Sequence, residues 1–160
     1  MARSPGADLA LLLLGGFQSM VDDVHGELAH RGHPGVRASH EFALRAVDEG
    51  ADTASALGRR LSVSKQGAAR TIGALEKLGY LAREPDPSDG RLKRLRVTDR
   101  GHAMMTLGAS LFDEVRERWA AQLGPGQLEL LEAHLARVVA GRPSSVEAAA
   151  RLNDDLGEVT

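Results

Sequence analysis

The chain has 160 residues, the size of one ordinary domain, with 42% apolar residues, 26% charged residues and no cysteine. The lack of thiols excludes a disulfide scaffold, a thiolate zinc or iron–sulfur site and a cysteine redox switch. Five aromatics are too few for a single-strand stacking platform, and the apolar run from Leu9 to Leu14 is too short to span a bilayer. No small-residue cleavage site follows that run, so it is not read as a signal peptide, and a cytoplasmic chain without a membrane partner is expected.

The formal net charge of −2 hides a strong asymmetry. Residues 57–100 hold 11 Lys and Arg against five acids, a local charge of +6, which leaves −8 for the rest. A basic middle between acidic flanks suggests a polyanion site on a scaffold that repels the same polyanion.

In chain order, Asp8 to about Arg31 reads as one long helix. Leu9, Leu12, Leu13, Phe17, Met20, Val24 and Leu28 recur at helical steps, and Leu11, Leu14 and Val21 widen the apolar face. Residues 32–35 form a stop and a loop. Ser39 is placed as the cap of a second helix ending at Gly50, and Thr53 as the cap of a short third helix, Ala54 to Leu61. After a tight turn at residues 62–64, Ser64 caps a fourth helix that runs to Leu78 and stops at Gly79. This is a helix-turn-helix pattern inside the basic block. Tyr80 to Arg83 is a strand candidate, residues 84–90 are dense turn chemistry, and Arg91 to Thr98 alternates with Leu95 and Val97 on one side and Arg94 and Arg96 on the other. A basic hairpin here makes the unit winged. Thr98 caps a long helix to about Leu123, residues 124–126 break it, and Gln127 to Ala140 form a last amphipathic helix with a seam of Leu128, Leu131, Leu135 and Val138. From Arg142 onward the chain is polar and alanine-rich, with one or two weak helical turns expected.

Leu61-x-Val63-Ser64, Leu75-Glu76-Lys77-Leu78-Gly79-Tyr80-Leu81-x-Arg83, Asp86-Pro87-x-Asp89-x-Arg91 and Val97-Thr98-x-x-Gly101 together resemble the MarR family of winged helix-turn-helix transcriptional regulators. The resemblance covers residues 53–101, with the order of the flanking helices consistent from Asp8 to Gly141. Gly90 stands where the family often has a second wing arginine, and Gly58, Gly67 and Gly73 stand where it more often has larger residues. The resemblance implies a mainly α fold with a small β-hairpin wing and long dimerisation helices. Residues 8–35 would be an N-terminal dimerisation helix, 36–100 the DNA-binding winged unit, 101–141 the C-terminal dimerisation helices and 142–160 a polar tail. It also implies a homodimer on a pseudo-palindromic operator in double-stranded DNA. Independently, the apolar faces of the first and last helices would make too large a patch on a monomer.

At about 100° per residue, Ile72 and Leu75 fall within roughly 40° of Ala68 and point inward, while Gln66, Arg70, Gly73 and Lys77 point outward. Gln pairs bidentately with adenine and Arg with guanine, so Gln66 and Arg70 are the expected base readers. Ser64, Lys65 and Lys77 suit phosphate contacts, aided by the amides at the helix start. The family resemblance puts Arg91 in the minor groove, where negative potential is concentrated, with Asp89 bracing it through an ion pair. Lys93, Arg94 and Arg96 are expected to face the DNA backbone as a group.

Many family members release DNA when a small amphiphile binds between the dimer helices and the winged unit. Phe17, Met20, Phe42 and Met105 are the pocket candidates here. Six histidines match no local metal-ligand spacing, so neither a metal nor a cofactor is expected. No nucleophile triad, phosphate-binding glycine loop or metalloprotease spacing is present, and the chain is not read as an enzyme. The competing reading is a winged-helix protein-docking module, which would favour apolar anchors on the outward face of the fourth helix.

Overall fold

Ser4, rather than Asp8, starts the first helix: its hydroxyl accepts the Ala7 N–H, with Pro5 at the first helical position. The computed structural model describes residues 4–141. Within them the elements are α1 (Pro5–His30), α2 (Ala38–Asp48), α3 (Ala54–Leu61), α4 (Lys65–Lys77), β1 (Leu81–Pro85), β2 (Lys93–Val97), α5 (Asp99–Leu123) and α6 (Gln127–Val139). The expected weak helix beyond Arg142 lies outside the described residues.

Thr53, Ser64 and Thr98 cap α3, α4 and α5 as their positions predict, accepting the N–H groups of Ala56, Gly67 and Gly101. Ser39 does not cap α2. The helix starts at Ala38 with Arg37 as its N-cap, and His40 Nδ1 accepts the Arg37 N–H at 3.3 Å. The imidazole three residues on thus engages the main-chain N–H of the N-cap residue itself.

The hairpin is antiparallel, with Leu81 opposite Val97 and Pro85 opposite Lys93. Its strands differ from the expected ones. Tyr80 lies before β1 as a fully buried anchor, β1 reaches Pro85, and Arg91 belongs to the turn rather than to a strand. Pro85 is tolerated because a two-stranded ribbon consists of edges.

The core gathers the second half of α1 (Val24, Leu28), α2 (Ala43, Leu44, Val47), Leu57 and Leu61 of α3, the inner face of α4, the hairpin residues Leu95 and Val97, and Met104 and Leu111 of α5. Each fully buried leucine contributes about 1.5–3 kcal/mol. α6 stands apart from this cluster, with Leu128 its only buried residue. It is tied to α5 by the Arg116 guanidinium, which donates to both Glu132 oxygens at 2.7 and 2.8 Å.

Candidate nucleic-acid interface

α3 and α4 approach closely because residue 58 is glycine. A Cβ there would stand 3.1 Å from the Val63 carbonyl oxygen and 3.7 Å from Ala68. Ser62 closes the turn in the left-handed region at φ 56°, and the Val63 N–H returns to the Gly58 carbonyl at 3.0 Å. α4 is thereby held with Ala68, Ile72 and Leu75 buried and Lys65, Gln66, Arg70 and Lys77 exposed. A Cβ on Gly73 would meet nothing within 4 Å, so the middle of the outward face is open.

The C-terminal end of α4 is fixed by a latch. Arg100, from α5, donates to the Leu78 carbonyl at 3.2 Å and the Gly32 carbonyl at 2.8 Å, and its guanidinium lies 5.3 Å over the Tyr80 ring. The Tyr80 hydroxyl meets His33 Nδ1 at 3.0 Å. Burial, helped by the Arg100 charge, pushes the His33 imidazole below its ordinary value.

The basic block separates into two sets. Arg60 pairs with Glu49, Arg83 with Glu76, Arg94 with Asp86 and Asp52, and Arg96 with Glu84, while Arg100 serves the latch. Arg59, Lys65, Arg70, Lys77, Arg91 and Lys93 are exposed and carry no partner among the described residues. Five of these six were expected from the sequence. Arg59, on α3, was not, and its only sequence signal was membership of the basic block. The Ser64 hydroxyl oxygen is engaged as a cap, which leaves its O–H to donate elsewhere.

The turn between the strands is organised by Asp86, not by Asp89. The Asp86 carboxylate is buried; its Oδ1 accepts the Ser88 N–H at 2.7 Å, the Ser88 hydroxyl at 2.5 Å and the Asp89 N–H at 3.2 Å, and its Oδ2 accepts Arg94 Nε. The Ser88 hydroxyl, then Arg94 and the turn amides, hold this carboxyl well below the usual carboxylate range. Asp89 accepts the main-chain N–H of Arg91 at 3.1 Å, and no ion pair joins it to the Arg91 guanidinium among the described residues. The expected brace is therefore a backbone turn contact, which leaves the guanidinium free. Arg94, expected on the DNA backbone, instead has its guanidinium committed to two carboxylates, because Asp52 is brought beside it by the loop between α2 and α3.

Met20, Phe42 and Met105 pack partly buried against the core, while Phe17 is 37% exposed on α1. None of the four lines the cleft of about 500 Å³ between α1 and α5. That cleft is walled by charged groups, including Asp23, Glu27, Arg31 and Arg118, together with the core residues Val24, Leu111 and Val115. The histidines are dispersed. His25 faces Glu41, His30 lies near Glu27, His33 meets Tyr80 and His102 meets Asp48.

A family model described as "MarR family" matches residues 42–92. No curated protein sequence matches the chain. Among solved structures, the chain is similar to the YusO protein from Bacillus subtilis, at 19% identity, covering 88% of this chain and 99% of that one, with a TM-score of 0.62. A mutant of MarR from E. coli is similar at 20% identity, 87% and 98% coverage and a TM-score of 0.62. CouR from Rhodococcus jostii RHA1, solved bound to p-coumaroyl-CoA, is similar at 18% identity, 88% and 97% coverage and a TM-score of 0.59.

Proposed function

This chain is a winged-helix protein of the MarR family, and from that premise we propose that it is a homodimeric, sequence-specific regulator of transcription that binds double-stranded DNA as a repressor. The observation that carries this reading is the separation of charge within the basic block. Partnered bases build the unit, while Lys65, Arg70 and Lys77 on α4 and Arg91 and Lys93 on the wing are left free at the surface. In this reading Gln66 and Arg70 read base edges in the major groove, with the open space at Gly73 between them and Lys77. Ser64, Lys65, Lys77 and Lys93 meet phosphates, and Arg91 enters the minor groove. Residues 36–100 form the DNA-binding unit.

The homodimer is supported by apolar side chains without an intramolecular partner surface. On α1, Leu9, Leu11 and Leu12 are 57–73% exposed, and on α6, Leu130, Val138 and Val139 are 53–70% exposed. Pairing of residues 8–35 and 101–141 with those of a second copy would bury them. Among the described residues no helix is long and apolar enough to cross a membrane. We place the protein with its DNA in the cytoplasm. CouR, which shares the fold, binds p-coumaroyl-CoA, and release by a small-molecule effector is the control we propose here. A protein-docking role would call for apolar anchors on the outward face of α4, where this chain carries Gln, Arg, Gly and Lys. No catalytic step belongs to this reading.

Selection of bound duplexes from a random pool tests it. Enrichment of inverted repeats with half-sites about 34–36 Å apart is expected, and a pool that stays random after repeated rounds would refute it. A screen for molecules that abolish binding to the selected duplex then tests the effector.

A further inference from the structure

We propose that Arg94 is a positioning residue that straps the wing to the loop between α2 and α3, bridging the Asp86 and Asp52 carboxylates and thereby setting where Arg91 stands relative to α4. The inference rests on the duplex-binding reading above and assigns Asp52 a part in it.

The strap has two anchored ends. Inside the wing, the buried Asp86 carboxylate gathers Ser88, the Asp89 N–H and Arg94 Nε. The same turn is closed by the Asp86 N–H on the Leu92 carbonyl and the Leu92 N–H on the Asp89 carbonyl, both at 2.9 Å. The turn that carries Arg91 is thus a closed unit. Outside the wing, Asp52 holds β2 twice: its carbonyl accepts the Leu95 N–H at 2.8 Å and its Oδ2 accepts Arg94 Nη1 at 2.7 Å. Arg94 is three residues from Arg91, so the strap holds the wing close to its working side chain.

Charge alone gives no reason for this arrangement. Two carboxylates around one guanidinium leave the cluster net negative beside free cations read as a polyanion surface. A carboxylate at Asp52 would repel phosphate, so its benefit must lie in geometry. The guanidinium is suited to that task because its planar fork directs separate N–H groups to two acceptors at once, which an ammonium cannot do with fixed geometry.

The test compares Asp52→Ala, Arg94→Lys and Arg94→Ala in the full chain. Affinity is measured at one salt concentration for the duplex selected by the wild-type chain. Asp52→Ala is expected to weaken binding about three- to tenfold although it removes a negative charge, and Arg94→Lys to behave like Arg94→Ala. Arg91→Ala is expected to cost about fivefold or more in the wild-type chain and about twofold or less beside Asp52→Ala, because an unstrapped Arg91 has little left to lose. Tighter binding by Asp52→Ala, wild-type affinity in Arg94→Lys, or equal costs of Arg91→Ala in both backgrounds would each overturn the proposal. Amide exchange at Leu92 and Leu95, read without DNA, is expected to speed up in Asp52→Ala and Arg94→Lys while the α4 amides stay protected. Unchanged exchange would overturn the strap as well. If the wild-type chain enriches no duplex, the duplex-binding reading fails by itself and the exchange measurement still decides whether the strap exists.

Discussion

Arg91 and Arg94 lie three residues apart in a basic run and have opposite surroundings. Arg94 is held by two carboxylates, whereas Arg91 is exposed at the turn with only its main-chain N–H engaged. In the proposed complex Arg91 is the side chain with most to give a narrow groove. Arg91→Ala should weaken duplex binding by about 1–3 kcal/mol and leave the dimer intact; an unchanged dissociation constant at matched salt would take the wing out of the mechanism. His40 makes a prediction of another kind. Its imidazole is buried at the start of α2, and burial first, then the charges of Arg37 and His25, pushes it down to about 4. The unfolded chain takes up a proton near pH 6.5 that the folded chain refuses until far lower, so folded stability falls as pH drops through this window. The loss attributable to His40 between pH 7 and 5 is on the order of 2 kcal/mol. Denaturant unfolding should show a shallower loss over that range in His40→Asn than in the wild-type chain.

At the scale of elements, the wing and α5 meet at a contact that only glycine allows. A Cβ on Gly101 would lie 2.5 Å from the Tyr80 carbonyl oxygen and 2.7 Å from Val97 Cγ1. Backbone cannot yield cheaply there, and the same segment carries the Arg100 latch on α4. Gly101→Ala should therefore destabilise the chain by about 1–3 kcal/mol, with a lowered thermal midpoint, and weaken duplex binding through displacement of Arg100. A midpoint equal to that of the wild-type chain would show that the contact relaxes freely. Element identity was largely legible in the sequence, because caps such as Thr53 and Thr98 and the apolar periods act within a few residues of themselves. The start of α2 was not legible. Ser39 is the obvious hydroxyl cap in the sequence, but the helix starts one residue before it, at Ala38, where His40 Nδ1 accepts the N–H of the N-cap residue Arg37. Which aspartate organises the wing turn is not legible in the sequence either. Asp86 and Asp89 both look like turn aspartates, and only burial shows that Asp86 organises the turn.

For the whole molecule, the apolar side chains exposed on α1 and α6 are opposite in character to the basic wing. The proposed dimer makes both the apolar stem and the paired wings necessary. Leu12→Asp together with Val138→Asp should give a monomer in sedimentation while leaving the winged unit folded, and should abolish tight binding to the inverted repeat. For the proposed dimer, neutralising about six to ten phosphates would mean an affinity loss of about 10³–10⁵ between 50 and 200 mM salt. A dimeric double variant, or a flat salt response, would contradict this assembly.

Taken by itself, the sequence determined the helices, the hairpin, the outward face of α4 and the apolar excess of the first and last helices. These follow from periodicity and from capping groups whose partners lie within one turn. Only the tertiary structure decided which charges are free. Arg94 is held by a carboxylate 42 residues earlier in the chain as well as by Asp86, and Arg100 is drawn to a carbonyl 68 residues away. A count along the chain cannot register such pairs, because long-range ion pairing depends on where loops return rather than on local composition.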